Sequence, residues 1–443
     1  MIKITIPDNN ILERTYILDV LFQDFLGLDI LVSESKTDKY SIELPNKSQL
    51  IIKDAFFCKY PQDLEYLKSE NIPTSTTEII NPFDKESKLQ ILFGENKFVQ
   101  HDKEISCSID IFASSFFMLT RWEEYVTTEK DEHKRFSDYA SLAYKANFYK
   151  RPIVNEYIDL LKQMILKLDD SITFKKWEYT ASITHDVDRL RRYDTFRKYF
   201  KALVGDMVHR KNLLKCFSTT SNYLSYKLDL RKDPYDTFDY LMDISEKHNL
   251  KSHFYFIPSK LNEQESEYNI ESKEALKDIN NIQNRGHFVG IHGSYKGFNN
   301  TEVFTKELKR IPIQVEEGRQ HFLRFDNPKT WQIWEDNALK TDSTIAYSHF
   351  AGFRAGICYP YSVFNILSQK KLKLKEQPLI AMEGAVANEF PQTDDFVKEF
   401  KTLSNTCKNH RGNFVFLWHN NNFKVKEWED YAKHYEAIIN SII

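Results

Sequence analysis

Two aspartates separated by one residue, Asp186 and Asp188, follow the apolar and aromatic run from Trp177 to Ile183. Side chains alternate across a β-strand, so both carboxylates lie on one side of the strand if it continues through them. At that spacing, one aspartate could bind a cation while the other accepts a proton from water. The alternative is that they end the strand by hydrogen bonding to turn backbone, as aspartates commonly do.

Further apolar or β-branched runs follow, with helical or loop segments between them. They predict seven strands, over residues 177–183, 252–257, 287–291, 320–325, 343–347, 379–382 and 413–418. Strands that alternate with helices indicate parallel βαβ packing, and about 270 residues suits a barrel of that type. In such barrels the chemistry lies at the carboxyl ends of the strands. His292, Glu383 and His419 each end or follow a predicted strand, as the two aspartates do.

The length of 443 residues favours two structural units. Residues 1–172 are predicted to form a small α+β domain with joining helices, because short strands surround one amphipathic helix from Glu13 to Phe25. Two more helices are predicted, one within 110–125 and one over 153–168. Residues 173–443 are predicted to form the α/β barrel.

Composition limits the classes of protein. The 61 basic and 64 acidic residues nearly balance, so the net charge argues neither for nor against nucleic acid. No nucleic-acid partner is predicted. Five scattered cysteines without a C-x-x-C pattern fit reduced thiols. Charged residues interrupt the first thirty positions, and no apolar run of membrane-spanning length occurs, so a cytoplasmic location is expected. Phosphate-loop, dinucleotide-binding and G-x-S-x-G motifs are absent from the sequence.

Four segments, in order, resemble the motifs of the polysaccharide deacetylase family. They are T-H-D-V-D at 184–188, G-H-F-V-G-I-H-G-S-Y-K at 286–296, G-F-R-A-G at 352–356 followed by Y-P-Y at 359–361, and F-L-W-H-N at 416–420. The resemblance implies a distorted barrel of about seven β/α units.

The resemblance also implies a role for each matching residue. Asp186 becomes the general base and Arg354 the arginine that orients it, with His419 as the general acid. Asp188 and His292 become metal ligands. The implied reaction is hydrolysis of an N-acetyl amide, with an O-acetyl ester as the less favoured substrate. A divalent ion, zinc or in its place cobalt, nickel or manganese, would polarise the acetyl carbonyl and acidify water.

One position departs from the family pattern. Where the family has its second metal-binding histidine, this chain has Lys296, and a protonated lysine cannot bind a cation. Three explanations remain open. Another residue completes the site, with His321 assigned and with Asp186, His185 and His287 as other candidates. Alternatively, Lys296 stabilises an oxyanion without metal. In the third explanation the pocket retains only sugar binding.

Other residues near the motifs are assigned to substrate binding. Arg319 and Arg324 flank His321 in a cluster that resembles an anion site, and Lys296 joins them. Trp418, with Trp331 and Trp334, suggests sugar stacking. His287 is expected to be a hydrogen-bonded structural histidine rather than a ligand.

Two regions lie outside this constellation. The N-terminal part resembles an uncharacterised domain that precedes deacetylase-like barrels in bacterial surface-polysaccharide proteins, most strongly at F-F-M-L-T-R-W-E-E-Y and R-P-I-V-N-E-Y. We interpret it as a scaffold or lid. Between the first two barrel strands, residues 189–215 carry nine lysines or arginines with interleaved aromatics. This segment is either a solvated helix face or a contact for an anionic membrane surface or pyrophosphate-linked sugar.

The sequence therefore predicts a metal-dependent hydrolase that removes an N-acetyl group from an acetylated amino sugar, free or lipid-linked, in bacterial surface-polysaccharide biosynthesis. Two alternatives remain. One is a catalytically silent sugar-binding or assembly protein on the same barrel, suggested by Lys296. The other is a hydrolase of another linear amide, such as a ureide.

Overall fold

The computed structural model describes residues 1–193, 196–209, 213–228, 232–259 and 268–443. The chain divides into two compact units. Unit 1 comprises Met1–Thr180, Phe322–Glu389 and Thr402–Val415, and unit 2 comprises Ala181–His321, Phe390–Lys401 and Phe416–Ile443. The domain boundary expected between residues 172 and 173 stays a prediction.

Seventeen strands are numbered in chain order among the described residues. They are β1 Ile2–Pro7, β2 Ile30–Ser35, β3 Lys39–Glu43, β4 Gln49–Lys53, β5 Thr77–Asn81, β6 Asp84–Ile91, β7 Gly94–His101, β8 Glu104–Ile109, β9 Thr180–Val187, β10 Ser252–Phe256, β11 Phe288–Gly293, β12 Glu317–Gln320, β13 Thr341–Asp342, β14 Tyr361–Asn365, β15 Lys370–Glu376, β16 Ala381–Met382 and β17 Asn413–Leu417.

Fifteen α-helices are numbered in the same way over the described ranges. They are α1 Ile11–Leu18, α2 Ile111–Thr120, α3 Trp122–Val126, α4 Leu142–Lys145, α5 Ile153–Leu168, α6 Phe196–Val204, α7 Leu213–Lys227, α8 Phe238–Lys247, α9 Lys273–Asn284, α10 Thr301–Leu308, α11 Lys329–Asp336, α12 Glu383–Glu389, α13 Thr393–Asn409, α14 Glu429–Ala432 and α15 Tyr435–Ile442. Two π-helical segments, Asp19–Phe25 and Gly205–His209, continue α1 and α6. None of the described helices is both long and apolar enough to cross a membrane.

In unit 1, the N-terminal strands form a six-stranded sheet in the order β2-β1-β3-β4-β8-β7, and β5 pairs with β6. Helix α2 is buried along its whole length. Its first turn is fixed by Asp110, which accepts hydrogen bonds from the backbone N–H of Ala113 at 2.9 Å and of Ala55 at 2.8 Å. Helix α5 begins and ends as predicted and turns its apolar face inward. The N-terminal region is thus an α+β fold.

In unit 2, β12, β11, β10 and β9 are neighbours in that order, and all three pairs are parallel. Beside β9, the Trp418 N–H at the end of β17 donates to the Thr184 carbonyl at 3.1 Å. The β11–β12 pair requires glycine at position 318, since a Cβ there would lie 1.9 Å from the Ile291 carbonyl oxygen. These parallel strands bring their carboxyl ends to one edge.

The predicted fold class is confirmed. The protein is mixed α/β, with an N-terminal α+β region and a second sheet of nine strands that is consistent with a distorted barrel. Six of the seven predicted strands overlap observed ones, and the sheet has nine because β13 and the antiparallel hairpin of β14 and β15 were not expected. The predicted strand at 343–347 is wrong. The Ile345 N–H there donates to the Glu376 carboxylate at 2.9 Å, so a side chain takes the place of a strand partner.

Candidate metal centre

Asp186 and Asp188 lie on one side of β9 and its extension, as their spacing predicts. Both carboxylates approach the same nitrogen, His292 Nε2, which lies 3.6 Å from Asp186 Oδ2 and 3.5 Å from Asp188 Oδ1. Asp186 is buried, and the Asp188 side chain is 28% exposed. The pair therefore opens toward solvent on the Asp188 side.

Two histidines complete a compact group with Asp188. His292 lies in β11, and His321 follows β12 directly. His321 Nε2 is 3.4 Å from Asp188 Oδ1, and the two imidazole rings are 5.0 Å apart. One ligand atom from each of the three residues lies within 4.8 Å of the others. Because β11 and β12 are adjacent parallel strands, their ends deliver both rings to one point.

The donor set fits a divalent metal ion. Asp188 Oδ1 is buried and has no hydrogen-bond partner within the described ranges. The separations of 3.4–3.5 Å between this oxygen and the two imidazole nitrogens exceed a good N–H···O distance. Two nitrogens and one carboxylate oxygen are ligands that zinc and related divalent metals accept. These three residues can hold such an ion, and of the proposed replacements for the missing histidine, His321 is the one in position.

The tautomer of His292 suits metal binding. Its Nδ1–H donates to the Arg319 carbonyl at 2.9 Å, in a register that pairs the two residues across β11 and β12. This bond leaves Nε2 facing the carboxylates. Burial lowers the pKa of His321 to about 4, so the His321 ring is neutral near pH 7 and can bind a cation.

Arg319 holds Asp186 in its ionised form. Arg319 Nη1 donates to Asp186 Oδ1 at 2.8 Å and to Thr184 Oγ1 at 3.1 Å, and both ionic side chains are buried. The Arg319 guanidinium also lies over the Tyr255 ring, 5.2 Å from its centroid. Burial raises the pKa of Asp186, but Arg319 and then His292 lower it more, so the net pKa lies below the ordinary value. An ionised carboxylate with one oxygen fixed by arginine can accept a proton through the other.

His419 stands at the accessible side of the cluster. It follows β17, and its Nε2 lies 3.7 Å from Asp188 Oδ2. Its side chain is 19% exposed, whereas that of His292 is 2% exposed. An imidazole with solvent access beside a carboxylate can exchange protons with a bound molecule.

The role predicted for Arg354 is corrected. Arg354, in unit 1, forms a two-bond pair with Glu124, from Nε to Oε1 at 2.9 Å and from Nη2 to Oε2 at 2.6 Å. Its Nη1 donates to the Ala346 carbonyl. The arginine that pairs with Asp186 is Arg319, which the sequence had assigned to substrate binding. The family motif identified an arginine at 354, but side-chain partners depend on tertiary geometry that a motif does not contain.

Trp418 is also corrected. Its side chain is fully buried, and its indole N–H donates to the Asn422 carbonyl at 3.1 Å, so the ring is core rather than a stacking surface. Trp331 and Trp334 are fully buried as well.

The remaining candidates lie in different settings. Arg324, in unit 1, is buried and donates through Nε to the His133 carbonyl at 3.0 Å. Lys296 is exposed in the turn after β11. Substrate binding by these two residues stays a prediction.

Two other histidines near strand ends are structural. His185 donates through Nδ1 to the Trp418 carbonyl at 2.8 Å, and burial lowers its pKa to about 3. His287 accepts the Ser252 N–H at Nδ1, at 2.9 Å, and its Nε2 lies 3.1 Å from the Glu246 carboxylate. Both rings therefore make hydrogen bonds to other parts of the protein, which agrees with a structural role.

Sequence reasoning missed Thr184 and Tyr255 as supports of the site. Thr184 lies two residues before Asp186 on the same strand, so its side chain shares the face of Asp186. That periodicity was a usable signal. Tyr255 could be placed only through the register that sets it opposite Asp186.

Comparisons with known proteins give a family match for the N-terminal region. Residues 2–170 match the Family of unknown function DUF7033. This confirms the predicted resemblance of the N-terminal region to an uncharacterised domain. No curated protein matches the chain at a significant level.

The C-terminal region is distantly similar in structure to polysaccharide deacetylases. A candidate polysaccharide deacetylase from Mycobacterium smegmatis is 14% identical, with a TM-score of 0.38, over 60% of this chain and 85% of that chain. A CE4 family pseudoenzyme from Bacillus anthracis is 11% identical, with a TM-score of 0.29, over 60% of each chain. The polysaccharide deacetylase of Bacillus cereus is 11% identical, with a TM-score of 0.25, over 59% of this chain and 84% of that chain. At such distances, the chemistry of the site has to come from its own residues.

Proposed function

We propose that this protein is a metal-dependent amide hydrolase that removes the acetyl group from an N-acetylated amino sugar. The proposal rests on His292, because a possible metal-binding group and an ionised carboxylate both lie next to its Nε2 atom. Asp188, His292 and His321 offer a metal-binding group, and Asp186, held by Arg319, lies 3.6 Å from the same His292 nitrogen. A cation site beside a fixed, ionised carboxylate is what water activation requires.

The metal ligands in this proposal are Asp188 Oδ1, His292 Nε2 and His321 Nε2. Zinc is the preferred ion, and cobalt, nickel or manganese could replace it. When bound, such an ion supplies Lewis acidity, which polarises a carbonyl and lowers the pKa of water to about 7. The Arg319 carbonyl keeps His292 oriented through its hydrogen bond to Nδ1.

The proton transfers are assigned to the two groups that flank the ligands. Asp186 takes a proton from water through Oδ2, because Oδ1 is occupied by Arg319. His419 gives a proton to the departing amine, which is a poor leaving group without one. Its position beside Asp188 Oδ2, on the exposed side of the cluster, supports this assignment.

The substrate class rests on the ordered motif series in the sequence. We assign the reaction to an acetylated amino sugar, free or lipid-linked, and to the cytoplasmic stage of bacterial surface-polysaccharide assembly. The burial of Trp418, Trp331 and Trp334 removes all three sugar-stacking candidates. It leaves the assignment of the amide chemistry unchanged.

The test is elemental metal analysis of protein purified without chelator, followed by acetate-release assays on acetylated amino sugars. We expect about one divalent metal ion per chain, lost in Asp188→Ala, His292→Ala and His321→Ala. The matched control is His253→Ala, because His253 also pairs with a carboxylate, Glu317, at 2.6 Å, but outside the cluster. That variant should keep its metal.

The outcomes separate the proposal from its alternatives. Metal binding without acetate release, combined with cleavage of a ureide, would reassign the substrate. Absence of metal and of hydrolysis, with sugar binding retained, would indicate a silent binding protein. Metal loss in the His253 variant as well would show that the assay reports misfolding rather than ligation.

A further inference from the structure

Two helices of unit 2 expose an unusual number of large apolar side chains. They are α6, with the π-helical segment that continues it, and α7, and we call residues 196–209 and 213–228 the helix pair. Phe217 is 82% exposed, Phe196 is 65% exposed and Phe200 is 54% exposed. The other exposed apolar residues of the pair are Val204, Met207, Val208, Leu224 and Leu228. Isolated exposed residues of this kind need no explanation, but a cluster of eight does.

The exposed residues form a stripe on each helix. Phe196, Phe200 and Val204 are four residues apart in sequence, so they share one face of α6. Phe217, Leu224 and Leu228 are separated by seven and then four residues, which places them on one face of α7 and its end. Each helix is therefore amphipathic with its apolar face toward solvent.

The contact between the helices centres on Tyr223. The Tyr199 and Tyr223 rings stack at 4.1 Å with an angle of 15°, and Tyr199 Oη lies 3.1 Å from Thr220 Oγ1. Tyr193, which is buried, meets Tyr223 at 6.3 Å. Phe196 also meets the Tyr223 ring, at 6.4 Å, so the pair is joined around Tyr223 by tyrosines and by one phenylalanine of the α6 stripe.

The sequence of the pair is strongly basic. The pair itself holds five lysines or arginines, and residues 210–212 between its two parts add two more, against the single acidic residue Asp206. The seven are Arg197, Lys198, Lys201, Arg210, Lys211, Lys215 and Lys227. The whole chain has a net charge of −3. Arg210 and Lys211 lie outside the described residues, as do the side chains of Arg197, Lys198, Lys201 and Lys215. This positive charge follows from the sequence alone and does not depend on where the side chains lie.

We propose that the helix pair binds the surface of an anionic lipid membrane. Apolar stripes with bulky aromatics and an excess of lysine and arginine are what an interfacial helix needs, since the rings enter the headgroup region and the cations attract acidic lipids. A second copy of this chain fits the surface less well, because two segments of the same positive charge would face each other. A nucleic acid would leave the phenylalanine stripes in water.

The experiment is co-sedimentation of the full chain with phosphatidylcholine vesicles that do or do not contain phosphatidylglycerol. We expect binding to the mixed vesicles, weaker binding to pure phosphatidylcholine, and loss of binding as salt is raised. Phe200→Ser and Phe217→Ser should each lower the partition coefficient about tenfold or more. Each charge removed should lower it about fivefold, so Lys198→Glu combined with Lys201→Glu should abolish most of the binding.

The matched control is Phe288→Ser, because Phe288 is also a phenylalanine of unit 2, is 48% exposed and lies outside the helix pair. Its partition coefficient should equal that of the wild type. Equal binding to both vesicle compositions would overturn the anionic requirement. No vesicle binding, with a concentration-dependent dimer that Phe217→Ser dissociates, would assign the surface to self-association and overturn the proposal. Vesicle binding that the control loses equally would also overturn it.

Discussion

Arg319 and Asp186 form a buried ion pair, with Nη1 and Oδ1 separated by 2.8 Å, and the backbone carbonyl of the same arginine accepts the Nδ1–H of His292. One residue of β12 therefore orients both the proposed general base and a proposed metal ligand. A buried pair of this kind is sensitive to the loss of either partner, because the remaining charge is left uncompensated.

Replacement of Arg319 tests that dual role. Arg319→Met should lower the free energy of unfolding by about 3 kcal/mol, measured by urea unfolding, because Asp186 stays buried without its counter-charge. It should lower kcat for acetate release by about a hundredfold or more. Arg319→Lys should restore most of the stability but not kcat, because an ammonium lacks the planar fork. The surface variant Arg285→Met should leave kcat unchanged, and equal recovery of kcat and stability in Arg319→Lys would argue against a positioning role.

A substitution of Lys296 distinguishes a metal-dependent reaction from one in which this lysine stabilises the oxyanion without metal. Lys296 is exposed, so Lys296→Met should leave the metal content unchanged and alter kcat/KM by less than about threefold. Removal of a donor that stabilises an oxyanion lowers kcat by about 10²–10³. A loss of that size with the metal retained would restore the lysine to the catalytic machinery.

Arg354 is predicted to act on stability. Arg354→Met should reduce the free energy of unfolding by about 3 kcal/mol, since Glu124 is buried and loses two charge-assisted bonds. The double variant Arg354→Met with Glu124→Leu should regain part of that loss, as calorimetry would show. Metal content per folded chain should be unchanged in both variants. Selective metal loss in folded Arg354→Met would instead connect Arg354 with the metal site.

The Asp138–His349 pair in unit 1 predicts a pH-dependent stability. Asp138 Oδ2 accepts from His349 Nδ1 at 2.9 Å, and this bond raises the pKa of His349. Burial raises the pKa of Asp138, but the bond to His349 and nearby charges lower it more. The stabilisation by His349 is then complete below its unfolded pKa of about 6.5 and is lost as pH rises through the higher folded value. The contribution of Asp138 is present above about pH 3.9 and is lost as pH falls below that.

The measurement is the difference in melting temperature between the wild type and His349→Gln across this range. It should be largest between about pH 4 and 6.5 and shrink in alkaline buffer. In an Asp138→Asn background, the same histidine substitution should have little pH-dependent effect. A difference that grows with rising pH would reverse the predicted sign.

Gly318 tests how strongly the site depends on the β11–β12 contact. Gly318→Ala should destabilise the protein by about 1–3 kcal/mol and reduce metal binding, because the new methyl group would meet the Ile291 carbonyl oxygen next to the His292–Arg319 pair. Gly384→Ala is the matched control, since a Cβ there has no neighbour within 4 Å. Chelator titration followed by thermal unfolding measures both effects.

Much of the site could be predicted from periodicity and motif order. The two-residue spacing of Asp186 and Asp188, and the positions of His292 and His419 at strand ends, were sufficient to place all four together. His321 was harder, because the strand predicted at 320–325 lies instead at Glu317–Gln320 and shares only Gln320 with the prediction. The chain turns there, with Phe322 at φ 59° and Leu323 at φ 53°, and neither residue type signals a left-handed conformation.

The missed elements have separate causes. In β15, Leu372 and Leu374 alternate with lysines, a strand signal that the apolar-run criterion did not detect. The local sequence does not show which carboxylate each arginine binds. Arg319 and Arg354 each pair with a carboxylate far away in sequence, at 186 and 124, and only the folded chain decides which pairs form.

The hydrogen bonds between Thr184 and the end of β17 have a consequence for how ready the site is before anything binds. The Trp418 N–H donates to the Thr184 carbonyl, and the Thr184 hydroxyl donates to the Phe416 carbonyl at 2.9 Å. Asp186 lies two residues beyond Thr184, and His419 one residue beyond Trp418. The two groups proposed to transfer protons are therefore held on strands that are hydrogen bonded to each other. The conformational entropy of bringing them together is lost once, during folding, rather than at every turnover.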